Sequence, residues 1–137
     1  MELNRLYDIA DNEKIKIYEY DIEDADGIFV NINNINAIAL NRKRIKTSTK
    51  EKCVLAEELG HYYYDATYSP LCSDTTFIRK QEFRAKKWAF KNLISPTKIK
   101  NLIANGINCK YEIADELGVT EDLLCLAYQY YTENSYI

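Results

Sequence analysis

The chain contains a single histidine, only two prolines and only four glycines among its 137 residues. It also lacks any apolar run longer than a few residues, so the sequence predicts no transmembrane helix and no membrane partner. The N-terminal segment, residues 1–14, mixes charges and has no apolar stretch typical of a secretory signal. We therefore expect a cytoplasmic protein.

Paired cysteines and a basic charge are absent too. The four cysteines, at positions 53, 72, 109 and 125, form no CxxC pair, which indicates reduced thiols rather than a disulfide framework. The net charge of −3 provides no basic field for nucleic acid, so direct nucleic-acid binding is not expected. The hydrophobic fraction of 47% is sufficient for a packed core.

The order of the elements predicts an α+β fold, in which a small, mostly antiparallel sheet of three strands packs on a long helix. Without any glycine- or serine-rich linker, the whole chain, 1–137, is read as one domain. Its parts are an N-terminal helix and sheet, two long helices, and a helical part that ends in a hairpin, at 1–46, 47–95 and 96–137. Three strands are expected near 15–20, 27–32 and 37–40.

The first long helix is predicted to begin at a capping box, in which Ser48 is the N-cap and Glu51 reaches back to the Ser48 amide. Inside it lies AEELGH, residues 56–61. Residues four apart share one face of a helix, so Glu57 and His61 can chelate one cation. Glu58 lies between them, where a carboxylate can act as the general base.

A catalytic zinc site needs at least three protein ligands and an open position for water. Because His61 is the sole histidine, the other ligands must be carboxylates, thiolates or groups of a partner. Glu82 is the candidate on the second long helix, because it heads that helix's apolar stripe, where an unpaired carboxylate is costly. Two ordinary alternatives stay open. Glu57 and His61 can form a surface pair, and Glu82 can pair with a nearby Arg or Lys.

Three blocks of sequence, CVLAEELGHYY, QEFRAKKWAF and EIADELGVTEDLLCLAYQYY, resemble the ImmA/IrrE family of metallopeptidases in order and spacing. The resemblance covers roughly residues 3–131 and implies a zincin-like core. It makes Glu58 the catalytic glutamate and assigns His61 and Glu82 as metal ligands. Glu57 then stands where the family has its first histidine. The family acts on helix-turn-helix type repressors of phages and mobile elements, which implies a repressor-like substrate.

A Glu57/His61/Glu82 set offers oxygen, nitrogen and oxygen donors, so zinc is the expected ion, with manganese or iron as alternatives. Two anionic ligands nearly neutralise a divalent ion and lower its Lewis acidity. Without a metal, the carboxylates of Glu57, Glu58 and Glu82 would repel one another, which would raise the pKa of at least one of them. The alternative function is therefore a catalytically impaired antirepressor that binds its partner without cleaving it.

Several side chains are accessory candidates. Cys53 and Cys72 are fallback ligands, although packing is their simpler role. Tyr64, within the run Tyr62–Tyr64, is expected in the core, and a tyrosine of this run or Tyr68 could donate to an oxyanion.

The chain's last helices have a spacing that resembles a helix-turn-helix unit, with Ala114, Gly118 and Leu124 at the matching positions. Its second helix opens with the acidic Glu121 and Asp122, which favours packing over DNA binding. A substrate is expected to add as a strand beside residues 37–40, which we predict to be exposed.

Overall fold

The computed structural model describes residues 1–137 and confirms the α+β fold class. The elements are α1 (Leu3–Asn12), β1 (Lys16–Glu19), β2 (Gly27–Ile32), β3 (Ile35–Leu40), α2 (Ser48–Tyr63), α3 (Thr75–Leu93), α4 (Pro96–Ala104), α5 (Lys110–Leu117) and α6 (Glu121–Glu133). The chain forms two compact units, Met1–Ala89 and Phe90–Ile137. The single domain stays a prediction. None of the six helices has the length and the apolar character needed to span a bilayer.

The three strands lie in the order β1-β3-β2, so β3 is the central strand. β3 pairs in parallel with β1 and antiparallel with β2, which makes the sheet mixed. The expectation that residues 37–40 form an exposed strand open to a substrate is therefore wrong, because both edges of β3 are occupied. The open edges of the sheet belong to β1 and β2.

One face of the sheet packs on α2. Ile38 and Leu40 of β3 are fully buried, as are Leu55 and Leu59 of α2. Gly27 opens β2 at a close approach to α2, where an added Cβ would lie 2.9 Å from a methyl group of Val54. The opposite face keeps apolar side chains exposed, among them Ile28, Ile32 and Ile35.

The N-cap of α2 is Thr47 rather than Ser48, so the predicted capping box is wrong by one residue. The Thr47 side chain accepts a hydrogen bond from the Lys50 amide at 3.1 Å. Glu51 does not reach back, because its carboxylate accepts from Arg42 at 2.6 Å and from the Tyr7 hydroxyl. These contacts tie the start of α2 to α1 and to the chain that follows β3.

Helices α2 and α3 approach closely at Gly60. A Cβ at this position would overlap the carbonyl group of Ala85, which is fully buried on α3. Glycine alone lets the two backbones meet at this distance. The contact lies one residue from His61 and brings the middle of α3 beside the C-terminal half of α2.

The second unit, Phe90–Ile137, has its own buried contacts. The Tyr131 hydroxyl donates to the Ile94 carbonyl at 2.7 Å, and its ring packs edge-on against Phe90. Ser95 caps α4 with Pro96 at its first position. Gly118 separates α5 from α6 in a left-handed conformation, with φ of 65°.

Candidate metal centre

Glu57 and His61 of α2 and Glu82 of α3 meet in the first unit. Each offers one ligand atom, and the three atoms lie within 4.8 Å of one another. His61 is buried, whereas Glu57 and Glu82 are half-buried. The one-turn spacing on α2 and the close contact at Gly60 together produce this cluster, so the structure brings all three predicted ligands together.

The end of α2 orients the imidazole of His61. The chain leaves the helix through Asp65, which has a positive φ of 48°, and the Ala66 amide then donates to the His61 carbonyl at 3.0 Å. This turn aims the Ala66 carbonyl back at the ring, where it accepts from His61 Nδ1 at 2.5 Å. A carbonyl only accepts, so Nδ1 carries a proton and Nε2 of the neutral ring is left to bind a metal.

Glu82 has a different neighbour at each carboxylate oxygen. Oε2 lies 3.6 Å from His61 Nε2, and Oε1 accepts from the Tyr68 hydroxyl at 2.7 Å. The Glu82 side chain is 32% exposed, so it is less buried than its place on an apolar stripe predicts. Burial and the bond to Glu82 raise the pKa of Tyr68 to about 12, which keeps its hydroxyl a donor.

Glu58 is a residue of α2 and is 7% exposed. Its side chain lies against Gly27, the first residue of β2. Burial raises the pKa of Glu58 to about 8, against the opposing effect of a positively charged His61. The Phe29 backbone amide donates to its carboxylate and favours the charged form. Glu58 is therefore a buried carboxyl group whose pKa lies near neutrality, beside but not within the three-residue cluster.

His61 and Glu82 balance their charges against each other. The ion pair with His61 lowers the pKa of Glu82 to about 2. Burial opposes a charge on His61, but Glu82 and Glu58 outweigh it and raise the pKa of His61 to about 9. Burial raises the pKa of Glu57, with Glu82 adding to the shift. At least one glutamate pKa is raised, as the sequence predicts.

These residues fit a divalent cation. Two ligands at bonding distance from a tetrahedral zinc ion lie roughly 3.4 Å apart, close to the 3.6 Å between His61 Nε2 and Glu82 Oε2. Oxygen, nitrogen and oxygen donors suit zinc and also manganese or iron. The bond between Nδ1 and the Ala66 carbonyl is the outer contact that metal-bound histidines usually make.

The other predicted residues lie outside the cluster. Cys53 is buried one turn before Glu57, and Cys72 is half-buried in the loop before α3. Neither thiol belongs to the metal-ligand group. Tyr64 is the C-cap of α2 and is half-buried rather than in the core. Tyr68 is the tyrosine whose hydroxyl reaches the site.

Three contributors escaped the sequence reasoning. The Ala66 carbonyl is a backbone atom that no motif marks. Gln81 donates to the Thr67 carbonyl at 2.9 Å, and Arg84 donates to the Tyr64 carbonyl. Gln81 comes directly before Glu82 on α3, and Arg84 comes two residues after it. Both side chains bond to the loop that leaves α2. Their nearness to Glu82 in the sequence was the one available signal.

Comparison with known protein families identifies the family of this chain. The profile of the IrrE N-terminal-like domain, which defines peptidase family M78, matches residues 10–128. The chain belongs to peptidase family M78. The resemblance to the ImmA/IrrE family is thereby confirmed. Membership in M78 supports a metallopeptidase-type function, and the matched range contains Glu57, Glu58, His61 and Glu82. Comparison with curated proteins and with solved structures gives no match.

Proposed function

We propose that this M78 protein is a metal-dependent endopeptidase whose ion is held by Glu57, His61 and Glu82. The observation that carries the proposal is the meeting of these three donors from two helices, next to the buried Glu58. Zinc is the expected ion, and manganese and iron are the alternatives. Glu57 is the ligand that distinguishes this site from the two-histidine arrangement.

The protein's own groups supply the proton transfers. A bound divalent ion contributes Lewis-acid chemistry, which acidifies water and polarises a peptide carbonyl. Glu58 takes the proton of the attacking water and later gives it to the leaving amine. A carboxyl group with a pKa near neutrality can do both at physiological pH. The Ala66 carbonyl keeps the His61 ring in the orientation that leaves Nε2 toward the cluster.

The substrate is proposed to bind as an extended strand along the outer edge of β2. Amides of alternate residues in a strand point to opposite sides. The Asn41 amide donates to the Asp26 carbonyl at 2.8 Å, so Asp26 faces β3, and Gly27, Phe29 and Asn31 face outward. The outward amide of Phe29 bonds Glu58. A strand added at this edge would therefore run beside the proposed base.

The proposed partner is a repressor-like protein of the helix-turn-helix type, from a phage or mobile element, met in the cytoplasm. This part of the proposal rests on the ImmA/IrrE resemblance. Binding of the protein itself to nucleic acid is not proposed, because the first turn of α6 carries Glu121 and Asp122. Acids at this position would repel a phosphate backbone.

The test begins with the metal. The protein is purified without chelator, and zinc, manganese and iron are measured before and after titration with each ion. We expect about one equivalent of one of them. The metal-loaded wild-type protein is then incubated with a candidate repressor of the helix-turn-helix type. Glu58→Gln and the wild-type protein with chelator are incubated with it in parallel. Cleavage of the repressor by the wild-type protein, and neither by Glu58→Gln nor in the presence of chelator, supports the proposal. A wild-type protein that takes up no metal contradicts it.

The second candidate function is a non-enzymatic antirepressor with the same partner. It is favoured by the two carboxylate ligands, because two anionic donors nearly neutralise a divalent ion and lower its Lewis acidity. Relief of repression in cells separates the two functions. If Glu58→Gln relieves repression as well as the wild-type protein and the repressor stays intact, sequestration replaces cleavage.

A further inference from the structure

The two oxygens of the Glu82 carboxylate contact different groups. Oε1 accepts from the Tyr68 hydroxyl at 2.7 Å, and Oε2 faces His61 Nε2 at 3.6 Å. A glutamate side chain on a half-exposed helix position has several rotamers and a broad terminal torsion. The bond to Tyr68 restricts both, and it presents one oxygen to the cluster.

Tyr68 can restrain Glu82 because its own backbone is held to the same helix. The segment 64–68, here called the orienting loop, leaves α2 and runs along α3. Gln81 donates to the Thr67 carbonyl at 2.9 Å, and Arg84 donates to the Tyr64 carbonyl. Arg84 also donates to Gln81 at 3.0 Å, which joins the two anchors. Gln81 is itself 7% exposed, so its side chain is held in place by the packing around it.

The orienting loop contacts two of the three proposed ligands. Its Ala66 carbonyl accepts from His61 Nδ1, and its Tyr68 hydroxyl donates to Glu82 Oε1. His61 and Glu82 lie on different helices, so the loop sets the orientation of one ligand from each helix. Groups that hold metal ligands in this way alter metal affinity without touching the ion.

We propose that Tyr68 is a positioning residue of the metal centre, which holds Glu82 through Oε1 so that Oε2 alone is presented to the ion. The inference rests on the proposed function for the existence of that ion. Tyr68 itself is not a ligand in this scheme, and its effect passes through Glu82. Loss of the hydroxyl frees Oε1 and lets the carboxylate rotate, which weakens binding and changes the coordination of the ion.

The decisive variant is Tyr68→Phe, which removes one oxygen atom and keeps the ring. The matched control is Tyr20→Phe, because Tyr20 is 70% exposed in the same unit. Zinc affinity is measured by competition with a chromogenic chelator. We expect Tyr68→Phe to bind zinc about 10- to 100-fold more weakly than the wild-type protein, and Tyr20→Phe to bind it equally well. Equal affinity of Tyr68→Phe and wild type overturns the proposal.

A spectroscopic readout separates positioning from a general loss of structure. Each protein is loaded with Co²⁺, and its visible absorption is compared with that of the wild type. Tyr68→Phe should change the shape or intensity of the bands, because Glu82 is no longer limited to one oxygen. The chelator-treated variants should share one melting temperature. An unchanged spectrum, or a weaker affinity matched by lost stability of the chelator-treated protein, argues against positioning.

Gln81→Ala provides a second route to the same effect. It removes the bond to the Thr67 carbonyl and leaves both Tyr68 and Glu82 in place. We expect a smaller loss of zinc affinity than in Tyr68→Phe, and no additional loss when the two changes are combined. Full additivity would show that Gln81 acts independently of Tyr68, which contradicts the loop mechanism.

The outcomes also distinguish this inference from the proposed function. A wild-type protein that binds no zinc, manganese or iron overturns both. A wild-type protein that binds metal but cleaves no repressor contradicts only the peptidase proposal, because the affinities and Co²⁺ spectra still decide the role of Tyr68.

Discussion

His61 Nε2 and Glu82 Oε2 lie 3.6 Å apart, at the separation that two ligands of one small cation would have. When His61 is protonated the same two groups form an ion pair, which raises the pKa of His61 and lowers that of Glu82. A metal ion held by Nε2 would have to displace the proton that forms this pair. Uptake of the ion should weaken as the pH falls, because the proton and the ion compete for Nε2.

Glu58→Gln should abolish peptide cleavage while leaving metal binding intact. An amide cannot take the proton from water, so we expect kcat to fall by about 10²- to 10⁴-fold. Metal content and zinc affinity should stay near the wild-type values, because Glu58 is outside the ligand group. Glu116→Gln, on the exposed surface of α5, is the control. A variant that loses its metal along with its activity would make Glu58 a ligand instead.

Substitutions of Glu57 should show whether its carboxylate binds the ion. Glu57→Gln removes the charge and should weaken zinc binding by at least about tenfold, or 1.4 kcal/mol. Glu57→His replaces the carboxylate by an imidazole and should restore zinc binding, because zinc accepts nitrogen donors well. The measurement is competition with a chelator at fixed pH. If both variants bind zinc as the wild-type protein does, Glu57 is a bystander.

The chelator-treated protein should lose stability as the pH rises from about 4.5 to 9. Burial raises the pKa of Glu58 from 4.5 to about 8, so over this range the folded state keeps a proton that the unfolded state releases. His61, with its pKa raised from 6.5 to about 9, adds the same trend above pH 6.5. One linked proton corresponds to at most about 1.4 kcal/mol per pH unit.

Urea denaturation at several pH values measures this slope. Glu58→Gln should flatten the part between pH 4.5 and 8, because its amide does not titrate. Below pH 4.5 the trend should reverse, since the pKa of Glu82 is lowered to about 2 and its protonation breaks the ion pair. A wild-type protein whose stability rises steadily from pH 5 to 8 would contradict the burial of a protonated Glu58.

Gly60→Ala should destabilise the protein more than Gly27→Ala. At Gly60 the new methyl group meets the backbone of Ala85, which cannot move without shifting α3. At Gly27 the overlap is smaller, because the new methyl group lies 2.9 Å from a Val54 methyl group and 3.3 Å from the Ala39 carbonyl, against 2.2 Å from the Ala85 carbonyl at Gly60. We expect a loss of about 1–3 kcal/mol for Gly60→Ala. Urea denaturation of both variants gives the comparison, and equal losses would show that the helix contact is loose.

Local patterns were sufficient for much of this fold. The strands expected near 27–32 and 37–40 follow from residue preferences and turn residues, and the structure places β2 at Gly27–Ile32 and β3 at Ile35–Leu40. The one-turn spacing of Glu57 and His61 is a property of any α-helix, so their proximity did not depend on the rest of the chain. The N-cap was misplaced because Thr47 and Ser48 are both good caps, and the difference between them lies in backbone conformation.

Strand order lay beyond the sequence reasoning. A strand's amino acids indicate which side chains face a core, but pairing partners depend on distant contacts. β3 is central because β1 pairs with it in parallel, in addition to the antiparallel pairing with β2. The short, apolar sequence of β3 does not reveal this arrangement. The edge proposed for substrate binding is therefore that of β2 and not residues 37–40, because only the pairing shows which strands have a free edge.

The sequence by itself determined the chemistry available at this site: one histidine, two neighbouring glutamates on a helix, and Glu82 at the head of the next helix's apolar stripe, where the family resemblance also has a ligand. Only the tertiary structure decided the geometry. The approach of α3 at Gly60 places Glu82 beside His61, and the turn at Asp65 sends Ala66 and Tyr68 to the two ligands. Helical periodicity is local and can be read from spacing, whereas the packing of α3 on α2 at Gly60 joins residues far apart in the chain. The contact between the Ala66 carbonyl and His61 is close in sequence but depends on the backbone turn at Asp65, which no spacing of side chains encodes.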